Sequence, residues 1–332
     1  MTDTPPGPAA GAPDPLSPRA RLIVDAMSAD FPDPARGPLD AAALRRASRA
    51  APPEPGDDGI ASADRTVPGP PGAPPLPVRV YRPDGPAAGP RPLIVFFHGG
   101  GWVLCDLDTH DGLCRQLARR CGAVVVSVDY RRAPEDRFPA AAEDAYAATA
   151  WAAARARELG CDPAGVAVAG DSSGGNLAAA VALMARDRGG PPLAAQLLLY
   201  PALDHRLAGR SAVDHATGFF HTTAHMRWYW DQYLGPDGDR GHPYASPGLA
   251  PDLTGLPPAL LVLPECDPLR DEGRAYGEAL RAAGVPARVA EYRGTFHGFL
   301  GAAGRLPAAD AALGAATNWL VGTLCDGGVT SG

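Results

Sequence analysis

The sequence predicts an α/β fold, a mostly parallel sheet flanked by helices. Three observations carry this. From about residue 76, short apolar runs alternate with helical stretches of ~12 residues, the rhythm of parallel strands joined by right-handed crossovers. The runs are hydrophobic throughout, as Leu93–Phe97 illustrates, and strands covered on both faces must be so. Glycine-rich turns follow two of the runs, at Gly99-Gly100-Gly101 and Gly170–Gly174, where sites form at the carboxyl ends of strands.

In chain order, residues 1–18 are rich in Pro, Gly and Ala and are expected to be disordered. Leu22, Ile23, Met27 and then Leu39 to Leu44 suggest one or two short helices within 19–50, and 51–75 returns to Pro/Gly spacing. Strands are expected at Val78–Tyr81, Leu93–Phe97, Val124–Val128, Val166–Ala169, Gln196–Tyr200, Ala259–Leu263 and Arg288–Tyr292. Helices are expected at Asp108–Arg120, Pro139–Leu159, Gly174–Arg186, Met226–Tyr233, Arg270–Ala283 and Pro307–Leu324. The stretch from about 203 to 250 breaks the rhythm, is rich in His, Trp, Tyr and Pro, and reads as an insertion above the sheet.

Composition narrows the chemistry. The 332 residues carry a net charge of −7, which points away from nucleic acid and anionic membranes as partners. All 30 basic residues are arginine. Without lysine, a Schiff base, a Ser–Lys dyad and a lysine-bearing phosphate loop are excluded. The start lacks a charged n-region and an apolar h-region, and no apolar run approaches the ~18 residues of a membrane span. Six cysteines without a CxxC pair read as reduced thiols, although pairing among them stays open, and the expected location is the cytoplasm.

The most informative segment is Val166-Ala167-Val168-Ala169-Gly170-Asp171-Ser172-Ser173-Gly174-Gly175-Asn176-Leu177. It reads as strand, Gly-x-Ser-x-Gly, then helix. Such a sharp turn strains the central serine and exposes its hydroxyl, while the helix N-terminus favours developing negative charge. The bland alternative is a Gly/Ser turn capping a helix. Strand before and helix after favour Ser172 as nucleophile, and Ser173 lacks the symmetric glycine frame. Upstream, Phe96-Phe97-His98-Gly99-Gly100-Gly101-Trp102 follows a strand. Three glycines let main-chain N–H groups approach an oxygen that becomes charged in a tetrahedral intermediate. Gly100 and Gly101 are the expected donors, with the N–H of Ser173 as the third; no Gly-Lys-Ser/Thr or GxGxxG supports a phosphate loop instead.

Among eight histidines, only His297 sits in a loop after a late strand near the C-terminus. Asp267 follows the strand Ala259–Leu263. The order Ser172, Asp267, His297 is that of an α/β-hydrolase, with Asp267 setting the tautomer of His297 and His297 taking the serine proton. The bland readings are a surface histidine and a helix-capping aspartate.

With these residues in place, His98–Trp102, Asp106–His110, Tyr130–Glu135, Gly170–Ala178, Asp267–Asp271 and His297–Phe299 together resemble the bacterial hormone-sensitive-lipase-like (family IV) carboxylesterases, over about residues 78–315. The resemblance implies an α/β-hydrolase with a helical cap, no metal and no cofactor, acting on short-chain acyl esters. It carries the triad onto Ser172, Asp267 and His297, and the oxyanion role onto Gly100, Gly101 and Ser173. It makes His98 structural and a homodimer a possible state. The cap is expected from 19–50 and 203–240, and the catalytic domain from 76–202 and 241–326. Three departures stand out: Arg132 where leucine is common, Ser173 where alanine is common, and Gly-Thr-Phe before His297. The last bears on pocket shape, hence on substrate size.

Weaker signals remain. His221 and His225 stand at the i, i+4 spacing that can bind zinc, but no Glu follows the first and only His215 is a loose third candidate, so an exposed cap segment is preferred. Trp228, Tyr229, Trp230 and Tyr233 read as packing, with acyl-pocket lining as the alternative. Asp106 and Asp108 are expected to hold the glycine loop. Alternatives to a carboxylesterase are a non-catalytic small-molecule receptor on the same fold, or an amide, acetylated-natural-product or lactone hydrolase with the same triad.

Overall fold

The computed structural model describes residues 13–29, 31–34, 37–48, 58–87 and 89–326. Most of the start expected to be disordered, residues 1–12, lies outside the described residues. Residues 13–17 correct that expectation: Leu16 is buried, and the N–H of Ser17 donates to the Gly294 carbonyl at 3.1 Å. An apolar seat and a strand carbonyl outweigh a proline-rich composition here.

Eight strands form one sheet: β1 (Ile60–Val67), β2 (Leu76–Pro83), β3 (Arg91–Phe97), β4 (Val124–Val128), β5 (Cys161–Asp171), β6 (Ala195–Leu199), β7 (Ala259–Cys266) and β8 (Ala287–Phe296). Their order is β1-β2-β4-β3-β5-β6-β7-β8. β1 and β2 pair antiparallel, as do β2 and β4, and every other pairing is parallel. β1 lies in the stretch read only as Pro/Gly spacing. As an edge strand it buries only its end residues, Ile60 and Val67, so it shows no apolar alternation.

The helices are α1 (Pro18–Ala29), α2 (Ala41–Ala47), α3 (Asp111–Cys121), α4 (Ala140–Ala154), α5 (Ser173–Asp187), α6 (Ser211–Asp214), α7 (Thr223–Leu234), α8 (Arg270–Ala282) and α9 (Pro307–Asp326). They cover both faces of the sheet, which makes the central strands largely apolar, with Ser127 of β4 and Gln196 of β6 as buried polar exceptions. Successive side chains still divide by strand geometry. Leu93, Val95 and Phe97 join the core beneath α4, α5 and α8, whereas Ile94 and Phe96 join the core beneath α1, α3 and α9. α5 is buried from Ser173 to Ala185, and its small residues let it lie close against β5 and β6. Among the described residues no helix is long and apolar enough to cross a membrane.

Candidate active site

β5 runs straight into α5 through Ser172, whose φ of 54° and ψ of −118° lie in a region that L-residues avoid. Backbone bonds enforce the conformation: the Ser172 N–H donates to Leu199 at 2.8 Å, and its carbonyl accepts from Asn176 at 3.0 Å and Ala202 at 3.2 Å. The flanking glycines are a steric demand. A Cβ on Gly170 would stand 2.2 Å from the Gly174 oxygen, and one on Gly174 would stand 1.9 Å from the Phe97 oxygen.

The structure brings the three residues distant in sequence together. Asp267 directly follows β7 and His297 directly follows β8. His297 Nε2 lies 2.9 Å from Ser172 Oγ, and His297 Nδ1 lies 2.8 Å from Asp267 Oδ2. Asp267 is fully buried and its second oxygen accepts the Leu269 N–H at 2.8 Å, so the carboxylate cannot swing away from the imidazole.

The glycine loop follows β3. The N–H of Gly99 donates to Asp171 Oδ1 at 2.8 Å. Among the described residues, the N–H groups of Gly100, Gly101 and Ser173 have no protein acceptor. Gly100 (φ 111°) and Gly101 (φ 61°) need the left-handed freedom of glycine, and a Cβ on Gly101 would stand 2.2 Å from the Tyr229 ring. His98, next to the loop, is buried, stacks on Tyr130 with ring centres 4.3 Å apart, and has its pKa pushed down to about 3, mainly by burial and secondly by His110. The Tyr130 hydroxyl donates to the His98 carbonyl at 2.7 Å, which gives the Tyr130–Glu135 motif a physical task.

Ser172, His297, Gly100 and Gly101 open on one cavity of about 570 Å³. Its other walls include Phe31, Phe220, Tyr229 and Met226. Six non-glycine described residues have positive φ, and Cys105, Ser172, Tyr200 and Phe220 among them line this cavity. Backbone strain is thus concentrated where the chemistry would occur.

These geometric features have matches among known proteins. Residues 94–301 match the family model described as the alpha/beta hydrolase fold. The chain belongs to that family. It is 49% identical over 243 residues to the carboxylic ester hydrolase LipN of Mycobacterium tuberculosis, covering 71% of this chain and 64% of LipN. It is 44% identical over 274 residues to the esterase LipI of the same organism, covering 80% of this chain and 83% of LipI. The crystal structure of a thermostable esterase from Pseudomonas putida superposes with a TM-score of 0.83 at 37% identity, covering 95% of this chain and 99% of that one. The alignment with LipN therefore spans somewhat less than two thirds of that relative. Within the alpha/beta hydrolase family, these relatives place the chain in the hormone-sensitive-lipase-like carboxylesterase branch.

Several cavity residues of this alpha/beta hydrolase were not legible in the sequence. His221 lines the cavity, with its ring edge-on to His297 at 5.4 Å. Burial lowers its pKa well below 6.5, with His297 and His225 adding to the effect, so it is a neutral wall rather than an exposed residue. His225 does not join it around a metal: Nδ1 closes the capping box of α7 with Thr222, and Nε2 lies 2.8 Å from the Pro32 carbonyl. Of the four cap aromatics, Tyr229 lines the cavity. Trp230 and Tyr233 instead pack on Trp102 in the core, with ring centres 4.5 Å and 4.2 Å from it. The carboxylates expected to hold the glycine loop do other work. Asp106 accepts the N–H groups of Asp108 and Thr109, closing a local turn, and Asp108 pairs with Arg79 at 2.9 Å. Asp171 and His110 are the residues that accept the Gly99 N–H. The sequence signal for Asp171 was its place beside Ser172, which reads equally well as a neutral spacer.

Proposed function

We propose that the protein is a serine carboxylesterase that hydrolyses short-chain acyl esters through an acyl-enzyme. The observation that carries this is the continuous hydrogen-bonded line from Ser172 through His297 to Asp267, opening on a cavity. In this mechanism Ser172 Oγ attacks the ester carbonyl and His297 Nε2 takes its proton. Asp267 holds Nδ1–H and stabilises the imidazolium that forms. The N–H groups of Gly100, Gly101 and Ser173 receive the oxyanion, and their lack of protein acceptors among the described residues supports that role. His297 then protonates the departing alcohol, and a water activated by the same nitrogen releases the acid.

The short-chain preference is part of the proposal and turns on the residues that wall the cavity. Met27, Phe31 and Ser48 come from the N-terminal helical region, while Phe220, His221, Met226 and Tyr229 come from the 203–250 insertion. In the proposal these two segments act as the cap that limits chain length. The intact Ser–His–Asp contact favours hydrolysis over a passive receptor, which would need the pocket but not the proton line.

The test is hydrolysis of a p-nitrophenyl ester series from acetate to decanoate, with fluorophosphonate labelling. The wild type is expected to turn over the short esters and to be labelled at Ser172. Ser172→Ala is expected to lose labelling and on the order of 10⁵-fold or more in kcat. A wild-type protein that is neither labelled nor active would remove this function.

A further inference from the structure

We propose that Asp171 and His110 form a clamp that sets the spacing between the glycine loop and the nucleophile turn, so that both act as positioning residues for the oxyanion donors. The proposal rests on the hydrolytic reading above and adds two residues to it.

Asp171 is covalently next to Ser172, and its carboxylate is buried. One of its oxygens, Oδ1, lies 2.8 Å from the Gly99 nitrogen and 3.1 Å from His110 Nε2. A single atom therefore ties together the end of β5, the first glycine of the loop, and the residue preceding α3. His110 is held from its other side, with Nδ1 2.9 Å from Thr109 Oγ1. Thr109 gives its hydroxyl proton to the Asp106 carbonyl at 2.8 Å, so Nδ1–H of His110 donates to Thr109, and Nε2 is left to accept the Gly99 N–H at 3.3 Å.

The arrangement also explains which glycines remain available. The Gly99 N–H is shared between Asp171 Oδ1 at 2.8 Å and His110 Nε2 at 3.3 Å, whereas those of Gly100 and Gly101 are not committed to any protein acceptor among the described residues. The first residue of the loop is an anchor and the next two are donors. Gly99 needs to be glycine for a matching reason: a Cβ there would stand 2.5 Å from Asp171 Oδ2, where the carboxylate closes over the main chain. Burial would lift the Asp171 pKa, but His110 and the Gly99 N–H outweigh it and hold it below its ordinary 3.8. The clamp is therefore ionised at working pH, and a charged acceptor makes the stronger bond.

An oxyanion contact is made fully only in the transition state, so displaced donors lower kcat with little change in KM. Asp171→Asn keeps an oxygen facing Gly99 but loses the negative charge on that acceptor, and kcat is expected to fall about 10-fold. Asp171→Ala removes the acceptor, and kcat is expected to fall about 100-fold, with KM within about 3-fold in both variants. His110→Ala is expected to match Asp171→Asn, and the double variant Asp171→Asn/His110→Ala to lose less than the product of the two. A second readout needs no substrate: amide hydrogen exchange over residues 99–104 is expected to quicken in all of these variants. An Asp171→Asn or His110→Ala protein with wild-type kcat and wild-type exchange over that loop overturns the clamp. So does a loss that appears only in KM, or single losses that multiply. If the wild type hydrolyses no ester, the hydrolytic reading fails, while loop exchange still decides whether the clamp exists.

Discussion

The floor and the roof of the cavity are built on different principles. The floor is made of strand ends: the β5–α5 turn with Ser172, the glycine loop after β3, and the residues after β7 and β8. There the main chain does most of the holding, with the Asp171 carboxylate on Gly99 and the Asp267 carboxylate on His297 as side-chain supports. Ser172 is fixed by backbone bonds to Leu199, Asn176 and Ala202, and glycines are required because carbonyl oxygens already occupy the space of a side chain. The roof comes from Met27 of α1, Phe31, Ser48 and the 203–250 insertion, and there side chains do the holding. Phe31 meets Phe220, His221 and His225 at ring distances of 5.2–5.5 Å, and His221 meets Tyr229 at 6.0 Å. A backbone-defined site tolerates almost no change, whereas packed rings can be exchanged for others of similar volume. In the proposed function, the chemistry falls on the stiff half and the choice of substrate on the adaptable half.

This contrast can be broken or sharpened by substitution. The largest effect is expected on the floor. Asp267→Asn preserves shape but leaves His297 in the wrong tautomer, and about a 10⁴-fold loss of kcat is expected on p-nitrophenyl acetate. A loss under tenfold would mean that Asp267 does not orient the base.

The next comparison sets one glycine against another. Gly174→Ala drives a methyl into the Phe97 carbonyl and is expected to cost on the order of 3 kcal/mol or more in urea unfolding. Gly218→Ala, in the roof, meets open space and carries only the penalty of its φ of 86°, about 1 kcal/mol. Equal costs would erase the distinction between the halves.

In the roof, Phe220→Ala widens the cavity. The ratio of kcat/KM for hexanoate to that for acetate is expected to rise about 10-fold, with acetate turnover largely kept. A parallel loss on every ester would instead make Phe220 part of the catalytic scaffold.

The smallest effect concerns acid stability of the floor. His98 has a folded pKa of about 3 against an ordinary 6.5. Its contribution is therefore fully present above pH 6.5 and is eroded as pH falls from 6.5 towards 3, because the unfolded chain binds the extra proton first. The melting temperature of His98→Asn is expected to fall less between pH 7 and pH 4 than that of the wild type. An equally steep fall would assign acid lability elsewhere, with His221 as the next group to test.

Legibility in the sequence follows the same division. Ser172, Asp267, His297 and the three glycines could be read because each sits at a strand end marked by a local pattern: an apolar run, then a tight turn of glycines or a lone charged group. The sheet could be read for the same reason, and β1 escaped because a solvent-facing edge strand needs no apolar alternation. His221 and Phe220 escaped because nothing local distinguishes a ring that packs in the core from one that faces a cavity. Trp230 and Tyr229 are neighbours in sequence, yet one stacks in the core and the other lines the cavity.

The sequence by itself determined the α/β rhythm, the strained serine turn and the set of residues able to do the chemistry, because backbone geometry and glycine sterics are short-range demands written within a few residues. Only the tertiary structure decided the distances between Ser172, His297 and Asp267, the bond from Asp171 to Gly99, and the make-up of the roof. Those are contacts between segments tens to hundreds of residues apart, and no local pattern encodes which side chains meet once the sheet has brought the strand ends together.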